Sequence, residues 1–403
     1  MTKICLIHTP VSELKDDRLD PPMGLLYLAT ELKNTGWDVE VCDLSGNDNI
    51  VMHDIPFAHY YGFSTYTANY QQTINIKNWL EVVYPDSIMI AGGAHASALP
   101  NEVIKDFDYV VVGEGEIAIQ EILEDKHEHK SIVKSDLIMD LDKLPYVDYS
   151  LVDLSSYHRF IQGERALPIF SSRGCPFRCA FCSSFNGYRK RSPQHFVAEI
   201  HNILDNYEDM RFRIKDDLFV KSVDWLQDFV DIVPQIKYDC LVRAGHDPKV
   251  PELLKENGCT LASLGIESGS NIVLKSMNKG ATAKMNQEAI KGLKDVGIQT
   301  LAWMIVGFPG ETWDTVKETV DFLNKSAPDI VTVYPLIPYP GTDVWNNPEK
   351  YGMRIIDKDF SHYFYIKGNY EAGYVYETDT LNPSIIQEMR QYMIDNIRNS
   401  DIR

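Results

Sequence analysis

The sequence predicts an α/β protein of two successive parallel-strand domains: a doubly wound, Rossmann-like domain, then a partial (β/α)6 barrel. A short helical extension ends the chain. Three observations predict this. Short β-branched runs alternate with helix-period segments over the first 125 residues; the alternation restarts near residue 168 after an aperiodic stretch; and a helix-like SIIQEMRQYMIDNIR (384–398) follows the last strand-like run. Parallel neighbours need a crossover long enough to return the chain, so strands spaced by helices belong to parallel sheets.

The first series reads KICLIHT (3–9), DVEVCDL (38–44), HYYGFST (59–65), SIMIAGG (87–93) and DYVVVG (108–113) as strands. Between the first two, GLLYLATELKNTG (24–36) has apolar i, i+3, i+4 spacing and a glycine stop, the pattern of an amphipathic helix. In a doubly wound sheet the ligand lies beyond the carboxyl ends of the strands, where HTP, FSTYT, GGAHAS and GEGE fall. Residues 126–166, with KHEHK and LDKLPYVDYSLVDLSSYH, lack sustained periodicity and read as a draped linker. The second series is PIFSS (168–172), RFRIKD (211–216), YDCLVRA (238–244), TLASLGIES (260–268), QTLAWMIVG (299–307) and DIVTVYPLI (329–337). Six βα units in about 170 residues suit a partial barrel, since a complete eight-fold one takes about 250. The expected divisions are 1–140, a linker over 141–166, the barrel over 167–345, and a tyrosine-rich extension over 346–403 (Tyr351, Tyr363, Tyr365, Tyr370, Tyr374, Tyr376) that lines a pocket or packs on the barrel.

A formal charge of −19 argues against a nucleic-acid or anionic-membrane binder, both of which need a basic surface. The amino terminus has no signal-peptide pattern and no window approaches a membrane span, so a soluble, cytoplasmic protein is expected. Seven cysteines in a reducing compartment point to free thiols or metal ligands rather than disulfides.

Three of the seven are gathered in SRGCPFRCAFC (172–182), spaced C-x3-C-x2-C as Cys175, Cys179 and Cys182, just past the first strand of the second series. Structural zinc prefers four ligands, and Cys5, Cys42, Cys240 and Cys259 are scattered along strand-like runs, so a zinc site must recruit a distant ligand. A cubane iron–sulfur cluster held by three thiolates keeps one iron open for a substrate or cofactor. That open cluster is the best reading; zinc and inert thiols are the alternatives. Asp216 and Asp217 end the second strand and face either a substrate or a solvated turn. The run GYRKRS, with Arg189, Lys190 and Arg191, reads as a docking patch near the cavity mouth or as solvated surface.

SRGCPFRCAFC resembles the signature of the radical SAM superfamily, and GIES (265–268), GFPGET (307–312) and PYPGT (338–342) follow in the family's order. PPMGLLYLA (21–29), GGAHASALP (92–100) and GEGE (113–116) resemble the amino-terminal domain of the cobalamin-binding subgroup, so the likeness spans roughly residues 3–345. It implies a four-iron, four-sulfur [4Fe-4S] cluster on Cys175, Cys179 and Cys182. It implies S-adenosyl-L-methionine (SAM) contacts from Phe181, Arg243, Glu267, Ser268, Gly307, Pro309 and Gly310, with glycines letting backbone approach the adenosyl group. It implies cobalamin contacts from Pro22, Gly24, Ser64, Thr65, Gly92, Gly93, His95, Gly113, Glu114, Gly115 and Glu116, His95 serving as a tail or loop contact rather than a cobalt ligand. The D-x-H-x-x-G motif of one corrinoid-domain type is absent from HTPVSELKDDRLDPPMG (8–24), which leaves the lower cobalt face open or otherwise capped. The implied activity is cobalamin-dependent methylation of an unactivated carbon through a 5′-deoxyadenosyl radical. A non-methylating rearrangement, cyclisation or C–C bond formation, a radical SAM enzyme whose first domain has lost cobalamin, and a cluster-bearing electron carrier are the alternatives. A small-molecule or peptide substrate and an external electron donor such as flavodoxin or ferredoxin are the implied partners.

Overall fold

The computed structural model describes residues 2–11, 16–46, 55–184, 187–207, 210–364 and 373–402. Two compact units emerge, one of Met1–Arg159 with Asp359–Ile366, the other of Phe160–Lys358 with Lys367–Arg403.

The first unit is a parallel sheet of β1 (Lys3–His8), β2 (Asp38–Asp43), β3 (Tyr60–Ser64), β4 (Ile88–Gly92), β5 (Tyr109–Val112) and β6 (Ser131–Lys134), in the order β2-β1-β3-β4-β5-β6. Helices α1 (Met23–Asn34), α2 (Tyr70–Val83), α3 (Ala94–Ala98), α4 (Pro100–Val103) and α5 (Gly115–Leu123) are the crossovers. The pleat divides β1 between the two faces. Ile4 and Leu6 join the core under α1 and α5, while Cys5 and Ile7 join Ile76, Leu80 and Phe107 on the other. Burial on both faces is why this strand is continuously apolar. The order reverses between β1 and β3, so the binding crevice of such a sheet is expected at their carboxyl ends.

Strand β6 was not expected. SIVK has two apolar residues between charged flanks, too short for an alternation signal, yet it pairs with β5 in parallel from Ser131 to Lys134. The residues beyond it are not loosely draped. Three single turns of 3-10 helix begin on Asp140, Asp148 and Asp153, whose carboxylates each accept the backbone N–H two residues on. Leu141, Leu144, Val147, Tyr149 and Tyr157 are buried between and beyond them. The chain also returns to this unit at Asp359, where a further turn sets Phe360 edge-on to His95, centroids 4.9 Å apart.

The second unit holds β7 (Phe160–Ile161), β8 (Glu164–Ile169), β9 (Ser172–Arg173), β10 (Arg189–Lys190), β11 (Arg211–Ile214), β12 (Tyr238–Val242), β13 (Cys259–Glu267), β14 (Gln299–Val306), β15 (Ile330–Pro335), β16 (Arg354–Ile355), β17 (Tyr376–Glu377) and β18 (Asp401–Ile402). Six of them, β8 and β11 through β15, run parallel in sequence order and form the partial barrel. The first starts four residues earlier than PIFSS indicates and ends at Ile169, so Ser171 lies beyond it and Ser172 begins β9. Helices α6 (Pro193–Asn206), α7 (Val223–Ile232), α8 (Val250–Glu256), α9 (Asn271–Ser276), α10 (Ala283–Asp295) and α11 (Trp313–Ser326) link the strands, and α12 (Asp343–Asn346) and α13 (Pro383–Asn396) follow. Side-chain caps start many of them, Ser192, Ser222, Thr282, Thr312 and Asn382 each accepting an N–H of the first turn. The terminal residues add β18 beside β15 as a further parallel strand.

Candidate active site

A cavity of about 480 Å³ opens at the carboxyl ends of the barrel strands, and Cys175, Cys179 and Cys182 line it. All three are free thiols. Their loop is held by the far side of the barrel. Ala180 N–H donates to the Met277 carbonyl at 2.9 Å, Asn278 Nδ2 donates to the Arg178 carbonyl at 2.7 Å, and Val344 N–H donates to the Ala180 carbonyl at 3.1 Å. Burial pushes the Cys175 and Cys182 thiols up, while backbone N–H groups of Phe177 and Ser184 oppose the shift. Among the described residues no three thiol, imidazole or carboxylate groups converge as a ready single-ion site. One tetrahedral zinc needs each sulfur about 2.3 Å from a common point. Three thiols lining one cavity are a donor set that suits an iron–sulfur cluster.

Arg243, beyond β12, reaches over this loop. Its Cζ lies 3.7 Å from the Phe177 ring centroid and its Nη1 3.9 Å from the Cys179 sulfur, while Nη2 is buried without a partner. A buried donor left unpaired costs about 1–3 kcal/mol, so an acceptor is expected there.

Glu267 ends β13 at a bulge, with φ +64°, where a non-glycine residue costs about 1–3 kcal/mol. The reward is its position in the cavity wall, ion-paired to Lys279 at 2.8 Å with both side chains under a tenth exposed. A Cβ on Gly265 would lie 2.5 Å from the Glu267 Oε1 and 2.8 Å from the Lys279 Nζ, so the glycine of GIES makes room for this pair. Ser268, one residue on, turns away: its Oγ is 3.1 Å from Thr319 Oγ1 on α11 and accepts the Ser270 N–H.

Of the residues expected at SAM, Phe181, Arg243 and Glu267 line the cavity, whereas Ser268, Gly307, Pro309 and Gly310 do not. Gly307 has φ +88°, and a Cβ there would meet Ile386 at 2.8 Å and the Tyr376 hydroxyl at 2.9 Å. Its glycine is thus required by packing of the chain's last segment. Tyr376 donates to the Gly307 carbonyl, and the Glu311 carboxylate accepts the Gly307 N–H at 2.6 Å. Desolvation raises the Glu311 pKa to about 7.

Three sequence readings need correction. Asp216 and Asp217 both line the cavity, and Asp216 is buried and bonded to the Ser171–Ser172 backbone, so it is not a solvated turn. The basic run is likewise neither docking patch nor solvated surface. Arg189 and Arg191 are buried, Arg191 pairs with Glu199, and the Lys190 ammonium lies 3.7 Å from the Trp225 ring centroid. Desolvation lowers the Lys190 pKa to about 8, Asp216 opposing the shift. The tyrosines do not act as one group. Tyr374 and Tyr376 are buried in the second unit and Tyr363 in the first, Tyr351 donates to Asp343, and Tyr365 and Tyr370 lie outside the described residues.

Sequence reasoning missed Arg213, Asp239, Lys279, Trp303 and Tyr334, which also line the cavity. Arg213 and Asp239 pair at 3.5 Å, and Trp303 stacks on Tyr334 with centroids 5.8 Å apart. RFRIKD carried a signal for the first of them. Arg211, Arg213 and Lys215 alternate with Phe212 and Ile214, which puts three cations on one face of a strand. Lys279, beyond α9, carried none.

In the first unit, Ser64, Thr65, Gly92, Gly93 and His95 gather at the carboxyl ends of β3 and β4. Thr65 N–H and Oγ1 both donate to the Gly92 carbonyl, at 2.8 and 2.7 Å, and Oγ1 accepts the Ala96 N–H at 3.1 Å. Gly93 has φ +94°, and a Cβ there would sit 2.8 Å from the Thr65 carbonyl. His95 is 1% exposed, packed between Tyr70 (4.3 Å) and Phe360 and bonded to Thr67 Oγ1 at 3.2 Å, which puts it beyond reach as an open contact. At the end of β5, Gly113 N–H donates to Ser97 Oγ, Glu114 accepts the Ile138 N–H, Gly115 packs against Leu28, and Glu116 is buried. Pro22 is buried at the start of α1, and a Cβ on Gly24 would meet nothing within 4 Å. At the β1/β3 reversal the buried Nδ1 of His8 has no partner and Tyr66 is 47% exposed beside it. An open aromatic surface with an unpaired ring nitrogen at the crevice fits a large, flat, partly polar ligand.

Comparison with known proteins agrees with this division. Residues 169–323 match the profile of the radical SAM superfamily and residues 19–123 that of the B12 binding domain. An uncharacterized methyltransferase of Pyrococcus horikoshii is 28% identical over 81% of this chain and 78% of its own. The anaerobic magnesium-protoporphyrin IX monomethyl ester cyclase of Rubrivivax gelatinosus is 27% identical, over 86% of this chain and 69% of its own. Among solved structures, the radical SAM methyltransferase TsrM of Kitasatospora setae, with cobalamin and a [4Fe-4S] cluster bound, superposes with a TM-score of 0.69. That match covers 96% of this chain and 85% of the other at 15% identity, a likeness of fold.

Proposed function

We infer that this chain, a radical SAM protein that also carries a B12-binding domain, is a cobalamin-dependent methyltransferase acting on an unactivated carbon. The observation that carries the inference is the joining, in one chain, of three free thiols around an Arg243- and Glu267-lined cavity with a doubly wound unit of the B12-binding type. When bound, the cluster supplies one-electron reduction of SAM and cobalamin a transferable methyl group.

The chain's own part is to bind and to orient. Cys175, Cys179 and Cys182 would hold the cluster, and the unpaired Nη2 of Arg243 would take the SAM carboxylate. Glu267, fixed by Lys279, would face the SAM amino group or ribose. Phe181 and Phe177 supply apolar lining to that wall. In the first unit Ser64, Thr65, Gly92, Gly93 and the Gly113–Glu116 turn would support cobalamin through backbone and hydroxyl groups, with His95 bracing the loop from behind. A small-molecule or peptide substrate and an external one-electron donor such as flavodoxin or ferredoxin complete the system. No helix among the described residues is long and apolar enough to cross a membrane.

The test is anaerobic purification from cells supplied with hydroxocobalamin, then iron and corrinoid analysis and product analysis after adding SAM and a strong reductant. Iron, corrinoid and both 5′-deoxyadenosine and S-adenosylhomocysteine are expected, and changing any of the three cysteines to alanine should remove most of the iron and all SAM cleavage. Iron without corrinoid, even after reconstitution, would remove methyl transfer from consideration. The relative named a cyclase favours a second reading, a non-methylating radical reaction. That reaction yields 5′-deoxyadenosine and methionine and no S-adenosylhomocysteine.

A further inference from the structure

We propose that Asp216 is a positioning residue that closes the neck of the cysteine loop, with Lys190 as its buried counter-charge. The proposal rests on the cluster reading above. The loop carrying Cys175, Cys179 and Cys182 leaves the barrel along β9 and returns along β10, two short antiparallel arms in which Lys190 faces Ser172. Asp216, from the end of β11, sits at this neck. One carboxylate oxygen accepts the Ser171 N–H at 2.8 Å and the Ser172 N–H at 3.1 Å; the other accepts the Ser172 hydroxyl at 2.7 Å and also the Ser171 hydroxyl. Asp216 is 2% exposed, and the Lys190 ammonium on the returning arm lies 3.7 Å away. The ammonium is held over the Trp225 and Phe219 rings, 3.7 and 4.6 Å to their centroids, and donates to the Phe219 carbonyl. Both arms are therefore tied to one carboxylate, and Ser172 stands only three residues before the first cysteine.

The chemistry at this point is suited to holding and not to reaction. Four donors and one cation occupy a carboxylate that water barely reaches, and charge-assisted hydrogen bonds are about twice as strong as neutral ones. The arms are also joined by the Arg191 N–H, which donates to the Ser171 carbonyl at 2.9 Å, and Ser172 Oγ has the Leu218 carbonyl as a second acceptor at 3.5 Å, but Asp216 is the group that meets both arms with charge. With the neck closed, the three thiols keep a common orientation. With it open, the barrel strands persist and the loop loses its register.

Asp216→Asn retains size but offers one acceptor oxygen and places an amide donor against hydroxyl donors. Ser172→Ala removes the Ser172 hydroxyl from the carboxylate and leaves the Asp216–Lys190 pair in place, which keeps the test available if Asp216→Asn does not fold. Tyr238→Phe, which loses a 2.6 Å buried hydrogen bond to Asn257 in the same barrel, is the stability-matched control. Each chain is reconstituted anaerobically; iron and sulfide are counted, and the reduced cluster's EPR spectrum is recorded with and without SAM. Asp216→Asn should fold by circular dichroism, hold at most half the wild-type iron, and lose the SAM-induced change in the EPR line. Ser172→Ala should lie between it and wild type, and Tyr238→Phe should match wild type in iron and line shape. Wild-type iron with a wild-type response to SAM in both neck variants would overturn the proposal. A wild-type chain that takes up no cluster would overturn the functional reading instead.

Discussion

Gly92-Gly93-Ala94-His95 in the first unit and Gly307-Phe308-Pro309-Gly310-Glu311 in the second are built alike. Each follows a parallel strand, each has a glycine at positive φ, and each places a buried ionisable side chain within four residues of it. In neither is the glycine needed only to admit a ligand. Thr65 backbone crowds Gly93, and Ile386 with Tyr376 crowds Gly307. The two loops part company in their protons. Desolvation lowers His95 from 6.5 to about 4 and raises Glu311 from 4.5 to about 7, so burial favours the neutral form of each by shifts of opposite sign. Strand-end glycines in this architecture secure the chain to itself first, and the ligand surface is what that packing leaves open.

The largest expected contrast is between Gly307→Ala and Gly93→Ala. Gly307→Ala combines positive-φ strain with a side chain driven into Ile386, at a cost of about 3–5 kcal/mol. Gly93→Ala, at φ +94° and ψ −171°, should cost about 2–4 kcal/mol and weaken corrinoid uptake while leaving iron content unchanged. Denaturant unfolding with paired iron and corrinoid analysis checks both, and equal loss of iron in the two would break the comparison.

The two loops should also respond oppositely to pH. Unfolded His95 takes its proton near pH 6.5 and folded His95 only near 4, so its neutral-form stability is whole above 6.5 and is lost as pH falls through that window. Unfolded Glu311 ionises near 4.5 and folded Glu311 near 7, so its contribution is whole below 4.5 and is lost as pH rises to 7. Each is worth up to about 3 kcal/mol at 1.36 kcal/mol per unit. Hydrogen exchange resolved by peptide, corrected for intrinsic rate, should show residues 92–99 losing protection toward acid and residues 307–312 toward neutrality. Glu311→Gln should flatten the second response alone.

A smaller effect sharpens the contrast further. Tyr376→Phe removes the donor to the Gly307 carbonyl and should cost about 1–2 kcal/mol. Phe360→Ala, which uncovers His95 in the first unit, should bring the imidazole pKa back toward 6.5, as read by NMR titration, with little change in iron binding.

The succession of strands and helices along the chain, the six-unit barrel and the cysteine loop were legible in the sequence because they rest on local pattern. Apolar runs of strand length, helix-period crossovers and C-x3-C-x2-C are properties of neighbouring residues. Strand β6 was not legible, because SIVK has too few apolar positions and is recruited by the open edge of β5. The direction in which polar residues point was not legible either. GIES places Glu267 on the cavity, after a bulge that shifts the register between Gly265 and Glu267, and turns Ser268 toward Thr319. RKRS looks solvated from composition, yet Glu199 one helix face away, and Asp216 and two aromatic rings more distant in sequence, make its burial affordable. The partners of Gly307 lie some 70 residues further along the chain. By itself the sequence determined which residue types meet at each strand end; which of them face the cavity was decided by partners that only folding brings within reach, since desolvating a charge is tolerable only where an opposite charge or a hydrogen bond is already in place.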